Sequence, residues 1–234
     1  MNKCYKIIVA SRNSIKVDVK GGFYHVYNRG VAKQPIYLDE QDYKVFLNYL
    51  KEYLSPPPKL EDLKEKRYVK DTIFNGVPRQ TKKYFKKIEM VSYTLMPNHF
   101  HFLIKQINKS EMKQFIQSLL IRYGMYFNKR HDRIGPLFQG RYKAVYVKNE
   151  NYLLHLSRYI HLNPLEYSDN LISAYSSYAN YIGLRNTSWV KSTTILTYFE
   201  KSLVPEIRKN NSYKNFVEKY KKDSKKILKD LTLD

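Results

Sequence analysis

A chain of 234 residues with 43 % hydrophobic and 27 % charged residues has the make-up of one globular domain with an extension, or of two small domains. Its 42 Lys and Arg against 21 Asp and Glu leave a net charge of +21, which predicts a polyanionic partner, nucleic acid first and an anionic membrane surface second. No apolar run approaches the roughly 20 residues of a membrane span, and the single cysteine, Cys4, excludes a disulfide framework and a cysteine-rich zinc site. A reducing, cytoplasmic setting is the corresponding expectation. The 23 tyrosines suit half-buried positions, and on a basic surface they also suit stacking against single-stranded bases.

Residues 1–20 form a basic N-terminal segment with no clear period. FYHVYNRG (23–30) alternates and stops at Gly30, which predicts a strand. Asp39 opens a helix in which Tyr43, Phe46, Leu47, Leu50 and Leu54 recur at helical spacing, and Ser55-Pro56-Pro57-Pro58 ends it. Residues 55–87 are rich in Lys, Pro and Gly without a core pattern, and they read as an insertion with a small hairpin around Gly76. IEMVSYTLM (88–96) and HFHFLIKQ (99–106) read as two strands joined by a tight turn. Ser110 is placed to cap a helix running from Glu111 to about His131, lined on one side by Met112, Phe115, Ile116, Leu119 and Tyr123. After the loop RIGPLFQGR (133–141) come a fourth strand, YKAVYVKN (142–149), and a helix over 151–165 closed at Asn163-Pro164. The order strand, helix, strand, strand, helix, strand is the split βαβ arrangement called ferredoxin-like. The expected class is therefore α+β: a four-stranded antiparallel sheet with helices on one face, plus a helical, Lys-rich C-terminal extension (166–234) ending in a helix near 212–231.

In a strand, His99 and His101 share one face, while Phe100 and Phe102 share the other. Two imidazoles on one face can take one divalent metal ion, but a third ligand must come from elsewhere. In the helix that follows the fourth strand, Leu153, Leu156 and Ile160 make the apolar stripe, and His155, Tyr159 and Asn163 repeat every four residues beside it. On spacing alone, that line is an ordinary polar flank.

Taken together and in order, YHVYNRG (24–30), LMPNHFHFLI (95–104), GPLFQGRYKAVYV (135–147), YLLHLSRYIHLNPL (152–165) and YSSYANYIG (175–183) resemble the REP-associated tyrosine transposases, a branch of the single-tyrosine HUH transposase family. The resemblance implies a catalytic domain over 21–165, interrupted by the 55–87 stretch, where such proteins often have a short connection. It implies His99, His101 and Asn163 as ligands of a divalent metal ion (Mg²⁺ or Mn²⁺) and Tyr159 as the nucleophile. The implied activity is cleavage and strand transfer of single-stranded hairpin DNA through a 5′-phosphotyrosine bond, which is the chemistry of transposition. Monomer and homodimer both fit.

A tyrosine hydroxyl, with a pKa near 10, is a weak nucleophile at neutral pH, so a metal-bound phosphate suits the chemistry. For DNA contact, Arg122, Arg130, Arg133, Arg141 and Lys143 gather around the GPLFQGR loop, although a lone arginine is more often a solvated surface charge. Two other readings use the same residues. One is a non-catalytic nucleic-acid binder of the same fold, and the other a metal-dependent nuclease that uses water as the nucleophile.

Overall fold

The computed structural model describes residues 17–201 and 213–219, apart from 60, 70, 71, 78 and 79. Cys4, the basic segment up to residue 16 and the Lys-rich stretch after 219 lie outside the described residues.

Alternating FYHVYNR forms β1 (Phe23–Arg29), and α1 (Glu40–Leu54) begins where the Asp39 side chain accepts from the Asp42 N–H. A separate two-stranded hairpin follows, β2 (Glu65–Val69) and β3 (Thr72–Gly76). Glu65 pairs with Gly76 and Val69 with Thr72, so Gly76 ends the hairpin and is not its corner. The composition of 55–87 predicts no core residue there, yet Tyr84 is buried against Tyr53 and Phe115 and its hydroxyl donates to the Gln114 carbonyl at 2.9 Å. Only a non-local contact makes that tyrosine a core residue.

β4 (Ile88–Met96) and β5 (His99–Gln106) pair antiparallel across the Pro97-Asn98 turn. α2 (Glu111–Arg130) starts differently from the expectation at Ser110. That residue adopts a left-handed conformation (φ 65°) and makes no cap. Its N–H and hydroxyl go to Asp18, while the Gln106 amide oxygen accepts from the Met112 N–H and serves the helix end instead. β6 (Lys143–Tyr146) precedes α3 (Glu150–Leu162), which Asn149 caps by accepting from the Tyr152 N–H at 2.8 Å. The chain tightens into a 3₁₀ turn over Asn163–Glu166 and continues through α4 (Tyr178–Tyr181), α5 (Thr193–Lys201) and α6 (Tyr213–Glu218).

The sheet order is β4-β5-β1-β6 with every neighbouring pair antiparallel, which is the ferredoxin-like order. α1 and α2 share one face over Tyr24, Val26, Phe100, Phe102 and Ile104. The other face carries α3 and the C-terminal helices over Val91 and Leu103, with Leu153, Leu156 and Ile160 pointing inward as their spacing requires. The segment after 166 also closes the β4 edge. Leu95 donates to the Tyr175 carbonyl, Thr94 bridges Ser176, and Met90 bridges Val190.

Gly30 ends β1 at a close approach. A Cβ there would lie 2.0 Å from the Gln34 carbonyl oxygen and 3.0 Å from Ile36, and the Gly30 N–H donates to the Asn98 carbonyl at 2.8 Å. Gly30→Ala is expected to cost at least roughly 1–3 kcal/mol, because backbone and not a flexible side chain must give way. Chemical denaturation measures this, and an unchanged midpoint would show that the loop yields freely.

Candidate active site

The pleat puts His25, Tyr27, His99 and His101 on the α3 face of the sheet, with His101 directly opposite Tyr27 and one step diagonal to His25. The partner strand β4 brings Thr94 opposite His101 and Met96 opposite His99. Across the face lies Tyr159 of α3, whose ring meets His101 edge-on at 5.5 Å between centroids and His25 at 6.1 Å. Leu153, Leu156 and Ile160 anchor that helix in the core, and this fixes the direction in which Tyr159 leaves it. Tyr159 is 8 % exposed, as is His99, so both side chains are almost fully packed at the sheet surface.

Each histidine of the pair is held through Nδ1. His99 Nδ1 lies 2.6 Å from the Asn98 side-chain oxygen, and the Asn98 amide nitrogen donates to the Lys33 carbonyl. An amide oxygen only accepts, so His99 carries its proton on Nδ1 and Nε2 is the nitrogen that could take an ion. His101 Nδ1 lies 2.8 Å from His25 Nε2, and both rings are fully buried. Burial pushes the His25 pKa down to about 3, and burial with the neighbouring His25 and His99 holds His101 well below the usual histidine range, so both rings are neutral. His101 Nε2 is buried with no hydrogen-bond partner.

Asn163 is the C-cap of α3, one turn beyond Tyr159, and its amide nitrogen donates to the Tyr159 carbonyl at 2.8 Å. With the nitrogen committed to the helix end, the amide oxygen is the atom a cation would take. Among the described residues, no three His, Cys, Asp or Glu side chains are grouped to hold a metal ion. The donor set available is two imidazoles and an amide. An unpartnered buried ring nitrogen on His101 and a hard amide oxygen fit a divalent ion that keeps open positions.

The five cations singled out from the sequence are dispersed. Lys143 sits on the site face, with Nζ 5.8 Å from the Tyr27 ring centre. Arg141 is exposed at the mouth of a separate groove beside Lys113 and Gln117 of α2, a cavity of about 530 Å³. Arg122 pairs with Glu52 at 2.7 Å and stacks on Tyr49 at 3.8 Å, on the opposite side of the sheet. Arg130 is clamped by Asp39 and Asp42, each at 2.6 Å. Arg133 braces its own loop through Asn128 and the Pro136 carbonyl. Sequence reasoning passed over His25, Tyr27 and Arg29, although the alternation in FYHVYNR puts all three on the histidine face, with Arg29 opposite His99.

Residues 65–163 match the family model for IS200-like transposases. No curated protein matches the chain. Among solved structures, a REP-associated tyrosine transposase bound to a REP hairpin aligns with a TM-score of 0.49 at 11 % identity, over 76 % of this chain and 95 % of that one. The matched sequence segment holds the two-histidine strand and the tyrosine helix and ends at Asn163. Over residues 65–163, the chain is similar to the IS200-like transposase family.

Proposed function

We propose that this protein cleaves and rejoins single-stranded hairpin DNA, with Tyr159 as nucleophile and a divalent cation held by His99, His101 and Asn163. The observation that carries this reading is the juxtaposition of the Tyr159 ring with a buried, unpartnered His101 Nε2. A bound Mg²⁺ or Mn²⁺ would supply Lewis-acid polarisation of the scissile phosphate. The chain's own part is placement. Tyr159 is aimed by the buried stripe of α3 and lies edge-on to His101 with little exposure to water. The Tyr159 oxygen bonds to phosphorus while the bond to the 3′ oxygen breaks, and the phenol proton ends on the departing 3′ hydroxyl. One phosphodiester replaces another, so the step runs without ATP and reverses onto a different 3′ end. The catalytic domain over 21–165 and the hairpin substrate rest on the sequence resemblance, and of the five cations singled out there Lys143 is the one on the site face.

The test is a denaturing gel of the full chain with labelled single-stranded hairpins from DNA flanking its gene, with Mg²⁺ or Mn²⁺. A covalent protein–DNA band that disappears with EDTA and with Tyr159→Phe is the expected result. Cleavage that persists in Tyr159→Phe would favour a nuclease using water, and hairpin binding without any adduct would favour a non-catalytic binder.

A further inference from the structure

We propose that His25 is the positioning residue that selects the metal-binding tautomer of His101. The inference rests on the proposed metal site and adds to it a residue outside the segment that matches the transposase family, since that match begins at residue 65.

A neutral imidazole has one N–H and one lone pair, and only the lone pair binds a cation. The contact between His25 Nε2 and His101 Nδ1, at 2.8 Å, holds one proton and allows two arrangements. If His25 donates, His101 must carry its own proton on Nε2, a nitrogen that lacks any other partner, and its one lone pair is consumed at Nδ1. If His101 donates from Nδ1, its Nε2 lone pair is left free for a cation, and His25 carries its proton on Nδ1, which is likewise buried without a hydrogen-bond partner. Only the second arrangement binds an ion. Because both rings are fully buried, water cannot substitute for His25 as the acceptor. The ring geometry agrees with an in-line hydrogen bond, with the two ring centres 5.0 Å apart and the rings 20° from parallel, and the Tyr27 ring centre lies 5.5 Å from that of His101 on the same face.

His99 has the equivalent arrangement, with Asn98 as the acceptor at 2.6 Å. Each histidine of the pair is thus oriented by a neighbour that accepts from Nδ1, as ligand histidines of metal sites generally are. The two supports differ in kind. Asn98 can only accept through its oxygen, whereas His25 can do either, so cation binding and the His25 tautomer are coupled. His25 touches neither substrate nor cation, and its effect runs through His101.

The test uses the full chain without DNA. Mn²⁺ affinity is measured by calorimetry for the wild type, His25→Phe and His25→Gln, with circular dichroism to confirm folding. His25→Phe keeps a ring of similar size but removes the acceptor, and it is expected to weaken Mn²⁺ binding by about 10- to 100-fold. His25→Gln restores an acceptor oxygen and should recover most of the loss. In the Mg²⁺-loaded wild type, ¹⁵N spectra of the His101 ring should show the proton on Nδ1, with slow exchange. Mn²⁺ affinity within about twofold of wild type in folded His25→Phe, or a His101 proton on Nε2 in the loaded wild type, would overturn the proposal while leaving the metal site standing. A wild type that binds neither ion would remove the metal site itself and the inference with it. The wild-type spectra decide the matter even where His25→Phe does not fold.

Discussion

His101→Ala is expected to lower the rate of single-strand cleavage by at least about a thousandfold, because metal-assisted charge stabilisation is worth several kcal/mol and each 1.36 kcal/mol is tenfold in rate. Hairpin binding should stay within about threefold, since phosphate contacts by surface cations dominate such affinity. The His101 ring meets Tyr159 edge-on and its Nε2 is buried without a partner, so its loss removes both the proposed ligand and a wall against which Tyr159 packs. Single-turnover cleavage and a native gel shift, run on one preparation, separate the two quantities. Equal losses in cleavage and binding would place His101 in DNA recognition, and unimpaired cleavage would remove the metal reading.

The second large effect lies away from the chemistry, at Asp42. Its buried carboxylate accepts from the Leu38 N–H at 2.9 Å, the Tyr126 hydroxyl at 3.0 Å, Arg130 at 2.6 Å and His131 at 3.0 Å. Asp42→Ala leaves those donors facing a void and is expected to destabilise the fold by about 3–5 kcal/mol, the usual cost of breaking a buried charge pair from one side. Burial by itself raises the Asp42 pKa, but the hydrogen bonds from Leu38, His131, Arg130 and Tyr126 outweigh it and hold the carboxyl below its ordinary value. A depressed folded pKa stabilises the protein above the unfolded value of about 3.9, and this contribution is lost as pH falls through the folded value. The gap in urea stability between wild type and Asp42→Ala should therefore be widest near neutrality and narrow below about pH 4. A gap as wide at pH 3 as at pH 7 would mean that the carboxylate's charge contributes nothing.

Much of the architecture was legible because it follows from local period. Alternation gave β1 and the parity of His99 and His101, and the three-four spacing of Leu153, Leu156 and Ile160 set the direction of Tyr159. What escaped depends on non-local partners. Arg122 and Arg130 look like surface cations in the sequence, but they answer Glu52, Asp39 and Asp42 from another helix. Ser110 stands where a helix cap belongs and is drawn away by Asp18. His25 was visible in the alternation, but only the strand register, which places it diagonal to His101, gives it a role.

The closed β4 edge limits how two copies of this chain could join. A sheet grows only where a strand offers unpaired N–H and C=O groups. On the β4 side those groups are engaged by residues 175–177 and 190–191 of the same chain. β6 is the opposite margin of the sheet, and it is four residues long. Any continuous eight-stranded sheet across two protomers must therefore be stitched through β6. Such an interface would be narrow, two-fold and antiparallel, and it would set the two tyrosine helices on the same side of the joined sheet.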